Sequence, residues 1–170
     1  MVDQQPVLVL NGPNLGRLGR RQPEVYGRGT HAELVEKLVR RGEQLGLSVD
    51  VRQTDSEAYM INWLHEAADA EIPVVINPAA WSHYNIAIAD AVAQCTADVY
   101  EVHLSNIHAR EEFRRHSVVS PYVNGVLAGL GPDGYELALA MIALRLRRRD
   151  GQVHQLRPPV SPVDDPTARS

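Results

Sequence analysis

Residues 7–27 read VLVLNGPNLGRLGRRQPEVYG, and the fold is decided here. Val7-Leu8-Val9-Leu10 is a continuous apolar run, the pattern of a strand buried on both faces. Asn11 to Gly27 is then a long loop, and Thr30 opens a helix. Strand, loop and helix in that order begin a βαβ unit, and open α/β sheets take their ligands at the carboxyl ends of the strands. A loop of this length in a compact domain is usually functional. Gly12, Pro13, Gly16 and Gly19 shape its backbone, Arg17, Arg20 and Arg21 carry charge, and Tyr26 stands near its end.

Three readings are open for the loop: phosphate binding, a solvated surface loop, or a loop presenting an acid or base. Its glycines match neither G-x-x-x-x-G-K-[ST] nor G-x-G-x-x-G. A tyrosine serves as a base only where its phenolate is stabilised, and a neighbouring arginine does that. Arg20, Arg21 and Tyr26 are the ingredients of the third reading.

The rest of the chain continues the alternation. Thr30-His31-Ala32-Glu33 is a capping box, followed by apolar residues at helical spacing up to Leu45, and Gly46 ends the helix. Leu47 to Arg52 alternates as a strand, and a second helix starts at Glu57. Ile72 to Asn77 is a central strand, Ile86 to Cys95 a helix, Val99 to Leu104 a strand. Val123 to Leu130 is a strand of small residues and Tyr135 to Leu146 an amphipathic helix. The expectation is a doubly wound, flavodoxin-like α/β/α fold with a five-stranded parallel sheet in the order 2-1-3-4-5. Residues 1–149 form one domain, and 150–170, rich in proline, form a flexible tail.

The 170 residues are 44% hydrophobic and 22% charged, with a net charge of −4, which suggests no general affinity for nucleic acid. Cys95 is the only cysteine, so no disulfide framework or cysteine-based zinc site is expected. No run is long enough to span a membrane, and no basic region precedes the first apolar run as in a signal peptide. A cytoplasmic protein is expected. Lys37 is the only lysine, so any Schiff-base chemistry would have to use it.

The loops after the strands carry the candidate chemistry. Asn77 ends the third strand and His83 follows it, with Asp90 seven residues on and read as sharing a helical face with His83. Glu101 and His103, two apart on a strand, point the same way. A carboxylate beside an imidazole fixes its tautomer and suits a general acid or base, although a plain ion pair fits as well. Arg110, Arg114 and Arg115 are either a solvated charge run or a fork for a carboxylate. Leu104 and Ser105 offer backbone N–H groups to the same anion. H-E-x-x-H and G-x-S-x-G are both absent, which argues against zinc and serine-hydrolase chemistry.

Taken together, NGPNLGRLGRRQPEVYG, INPAAWSH, EVHLSNIHAREEFRRHS and the late Gly131 to Tyr135 motif resemble type II 3-dehydroquinate dehydratases, in the same order, from about Val7 to Leu146. The resemblance implies dehydration of 3-dehydroquinate to 3-dehydroshikimate through an enolate, in the shikimate or quinate pathway. It needs no cofactor, and the assembly is a dodecamer of four trimers. It assigns Tyr26 as base with Arg21 beside it, and Asn14 as holder of a water. His103 becomes the acid, oriented by Glu101. Asn77, His83, Leu104, Ser105 and Arg114 become substrate contacts, and Asp90 reaches a neighbouring subunit's site. Gln22 replaces a frequent Glu, and Tyr84-Asn85 replace a common Thr-Ser beside His83. The Tyr84-Asn85 change keeps open a paralogue acting on a related cyclic hydroxyketone. A non-catalytic binding protein on the same scaffold and a flavin-binding module stay open as well.

Overall fold

The apolar run at the start of the chain divides between two cores. In the computed structural model, which describes residues 4–20 and 29–150, β1 spans Gln5–Asn11. Side chains alternate across a strand. Val7 and Val9 therefore join one buried cluster, and Leu8 and Leu10 join the other. Each fully buried aliphatic side chain of this kind contributes about 1.5–3 kcal/mol. Arg21 and Tyr26 lie outside the described residues, as does the expected tail beyond residue 150.

The elements that follow are α1 (His31–Leu45), β2 (Leu47–Gln53), α2 (Glu57–Asp69), β3 (Val74–Asn77), α3 (Ile86–Val92), β4 (Val99–His103), β5 (Gly125–Ala128) and α4 (Asp133–Asp150). The sheet is entirely parallel in the order β2-β1-β3-β4-β5, the expected flavodoxin-like arrangement. On one face α1 and α4 bring Leu34, Leu38, Tyr135, Leu139 and Ile142 against Val7, Val9, Val75 and Val102. On the other, α2 and α3 bring Met60, Leu64, Ile88 and Val92 against Leu8, Leu10, Val74 and Ile76.

The capping box at Thr30 is present: its hydroxyl accepts from the Glu33 N–H at 3.2 Å, and the Glu33 carboxylate accepts from the Thr30 N–H at 2.7 Å. Gly46 closes α1 in the left-handed conformation, φ 78°. The expected boundaries shift for local reasons. Pro73 has no N–H for the ladder, so β3 starts at Val74, while the Pro73 carbonyl still accepts from Leu8. The chain after Val92 tightens to i→i−3 bonds at Gln94 and Cys95, which ends α3 early. Gly129, at φ 84°, turns the chain out of β5. The last helix runs further than expected, through Arg147, Arg148 and Arg149, whose charges suit a helix carboxyl end. Lys37 on α1 pairs with Asp133, at 2.8 Å, and with Glu136, both on α4. Among the described residues no helix is long and apolar enough to cross a membrane.

Candidate active site

The parallel register brings the strand ends together. Asn11, the last residue of β1, lies between Gln53 of β2 and Asn77 of β3. His103 ends β4 on the same rim. Immediately after β1 the chain passes so close to the next loop that the Gly12 N–H donates to the Asn77 carbonyl at 2.8 Å. A Cβ at Gly12 would stand 2.7 Å from the Pro78 carbonyl oxygen, so the approach requires glycine. Asn14 then adopts φ 67°, a left-handed conformation that asparagine tolerates, and its N–H donates to Asp55 at 2.8 Å.

These loops surround a cavity of about 720 Å³, part of it open to solvent. Asn14, Asn77, His83, His103, Leu104, Ser105 and Arg114, all singled out from the sequence, line it. Arg110 lines it too. Glu101 stands behind His103. Asp90 is exposed on α3 and is not among the lining residues. The expectation that it shares a helical face with His83 does not hold. His83 closes a separate 3-10 turn, Ala79–His83, and α3 begins only at Ile86. Tyr84 and Asn85 do not line the cavity either: Tyr84 is exposed, and the buried Asn85 caps α3 by accepting from the Ile88 N–H at 3.0 Å.

The Glu101–His103 pair is the most constrained part. Both side chains are buried and they meet at 2.7 Å, His103 Nε2 to Glu101 Oε1. Ser117 donates to the same oxygen at 2.6 Å, and Ser120 donates to Oε2. Burial pushes the Glu101 carboxyl up. The hydrogen bonds from His103, Ser117 and Ser120, with the attraction of the imidazole, outweigh burial and hold it below the ordinary carboxylate value. An ionised carboxylate only accepts, so His103 Nε2 carries the hydrogen and Nδ1 is left to face a ligand.

The His83 ring stacks against His103, with centroids 6.5 Å apart and planes 18° from parallel. Its Nδ1 donates to the His116 carbonyl at 2.8 Å, which leaves Nε2 as an acceptor. Burial lowers its pKa; the nearby His103 and Arg114 add to this, and the bond to His116 opposes it. A neutral imidazole with Nε2 as acceptor therefore stacks against one whose Nε2 hydrogen is committed to Glu101. On the next wall Arg114 has its Nε 3.3 Å from Glu111, an ion-pair distance without hydrogen-bond alignment. Arg110 lies 3.5 Å from the same carboxylate oxygen and reaches Ser105 at 3.4 Å. This wall presents two guanidinium groups to an anion.

Sequence reading gives no role to Ser117, the last residue of EVHLSNIHAREEFRRHS, or to Ser120 beyond it, although both reach Glu101 from 16 and 19 positions further on. It also misses a buried chain of polar groups behind Asn77. The Tyr135 hydroxyl donates to Asn11 at 2.6 Å and accepts from Asn77 at 2.8 Å, and Asn11 reaches His31 at 3.3 Å. The late motif ending in Tyr135 is the one signal of it. No group of three or more histidine, cysteine or acidic side chains is arranged to hold a metal among the described residues.

The comparisons with known proteins agree with this geometry. The family model described as dehydroquinase class II matches residues 5–143. A 3-dehydroquinate dehydratase of Salinispora tropica is 64% identical over 141 residues, covering 83% of this chain and 99% of the relative. A type II dehydroquinase structure from Propionibacterium acnes superposes with a TM-score of 0.82 at 64% identity, covering 82% of this chain and 97% of the other. One from Butyrivibrio crossotus gives 0.80 at 38% identity over the same shares. With a family model that spans nearly the whole described domain, the chain belongs to the class II dehydroquinase family.

Proposed function

We propose that this cavity dehydrates 3-dehydroquinate to 3-dehydroshikimate, with the roles the sequence suggests. The observation that carries the reading is the buried Glu101–His103 pair facing the cavity. A proton leaves the carbon next to the ketone, the electron pair is held as an enolate, and the neighbouring hydroxyl departs as water. The ketone already acidifies that carbon, so no cofactor is needed. Tyr26, helped by Arg21, takes the proton. Asn14, on the cavity wall, holds a water that stabilises the enolate oxygen. His103 delivers a proton through Nδ1 to the departing hydroxyl, and Glu101 steadies the imidazolium. Arg114 receives the substrate carboxylate, while Asn77, His83, Leu104 and Ser105 hold its hydroxyls and carboxylate.

The enzyme serves either the shikimate or the quinate pathway, in the cytoplasm. It assembles as a dodecamer of four trimers in which Asp90 reaches a neighbouring site. Asp90 is exposed, and so are the apolar Val126, Leu137, Met141 and Leu144, surfaces that a homo-oligomer would cover. The paralogue reading loses its motive, because Tyr84 and Asn85 lie off the cavity. The test is an absorbance assay for the conjugated enone product, with chelator present. Turnover that survives chelation and is lost in Tyr26→Phe, with ligand affinity retained, is the expected result. Normal turnover in Tyr26→Phe would remove that residue as the base.

A further inference from the structure

The polar chain behind the cavity has only one consistent direction. The Ala79 N–H can only donate, and it donates to Asn77 Oδ1 at 3.1 Å. The other end of the Asn77 amide, Nδ2, must therefore face Tyr135, and the phenol accepts from it. The phenol hydrogen then goes to Asn11 Oδ1, and Asn11 Nδ2 turns to His31 Nε2. Burial raises the Tyr135 pKa well above its ordinary value, so the group stays a neutral hydroxyl able to donate and accept at once. Tyr135 is fully buried and hydrogen-bonds to the cavity lining through Asn77.

The bond at Ala79 also matters for the backbone. Ala79 has φ 51°, a left-handed conformation that is unfavourable for a residue with a Cβ. It opens the turn that ends in His83, and Ala79, Ala80 and His83 all line the cavity. The second hydrogen of Asn77 Nδ2 has no acceptor among the described residues and is available to a ligand.

We propose that Tyr135 is a positioning residue for substrate binding. Through its paired bonds to Asn11 and Asn77 it fixes which end of the Asn77 amide meets the ligand, and through Ala79 it holds the strained turn that carries His83. This rests on the cavity being the substrate site. Loss of the hydroxyl should strand the buried Asn77 donor and release both features, while leaving His103 and Glu101 untouched.

The test is steady-state kinetics on Tyr135→Phe, Asn77→Ala and the double variant. Tyr135→Phe is expected to raise KM about tenfold or more, the loss typical of an unmade buried hydrogen bond. The kcat should stay within about threefold of the parent, the signature of lost binding rather than lost chemistry. Because Tyr135 acts through Asn77, adding Tyr135→Phe to Asn77→Ala should raise KM no further. An unchanged KM in Tyr135→Phe, or effects that multiply in the double variant, would overturn the proposal even where Asn77→Ala raises KM. An unchanged KM in Asn77→Ala would overturn the cavity assignment itself. Should Tyr135→Phe fail to fold, Asn11→Ala gives the same decision. It takes away the phenol's acceptor and should raise KM with little change in kcat, and an unchanged KM there overturns the proposal.

Discussion

Replacing Gly12 by alanine should damage this protein more than a single methyl group ordinarily does. The new Cβ would lie 2.7 Å from the Pro78 carbonyl oxygen, 2.9 Å from its carbon and 3.2 Å from the Asn77 oxygen. All three are backbone atoms, so no side chain can rotate away and the two loops must separate. Overpacking of this kind costs about 1–3 kcal/mol. The 2.8 Å bond from Gly12 to Asn77 is strained in the process, adding about 0.5–1.5 kcal/mol. Together these lower stability by about 1.5–4.5 kcal/mol. Gly16→Ala is the matched control. Its Cβ would meet Gln53 Oε1 at a similar 2.8 Å, but that is the far end of a flexible side chain. Denaturant unfolding of both variants gives the comparison. Gly12→Ala should be the less stable by at least about 1 kcal/mol, and its KM should rise because Asn77 moves. Equal stabilities would refute the argument that backbone against backbone sets the requirement at Gly12.

Arg114→Ala should weaken binding of carboxylate-bearing substrate by about 2–5 kcal/mol, seen as a higher KM; an unchanged KM would make Arg114 a surface charge only. Glu101→Gln should lower kcat by about a hundredfold or more while KM changes little, since the imidazolium loses its counter-charge, and an unaffected kcat would exclude that role. The same variant has a pH signature. The folded Glu101 carboxyl titrates below its ordinary value of 4.5, so the stability it contributes is complete above 4.5 and is lost as pH falls through the folded value. Unfolding free energies of parent and Glu101→Gln should therefore converge on acidification below 4.5, and a gap that does not change with pH would contradict the assignment.

Much of the fold and of the site is legible in the sequence because the information is local. Val7-Leu8-Val9-Leu10 identifies a strand with two apolar faces, and Thr30 with Glu33 marks a helix start within four residues. Glu101 and His103 lie two apart on one strand, so their contact follows from the pleat. What cannot be read depends on distance along the chain. Ser117 and Ser120 reach Glu101 only because the irregular segment after β4 folds back over it. Tyr135 meets Asn11 across 124 positions. His83 and Asp90 are misjudged when helical spacing is extended across Tyr84 and Asn85. The structure breaks the helix there, with Asn85 acting as its cap.

The isolation of Lys37 has a practical side. The chain has a single side-chain amine, and it lies on the seam between α1 and α4, not among the cavity residues. An amine-selective dye would therefore attach to one known side chain on the described domain, outside the residues that line the ligand cavity. Acylation there would also cancel the positive partner of Asp133 and Glu136. One bioconjugation could thus label the molecule and loosen its helix seam, and fluorescence from that position would report on helix pairing independently of turnover.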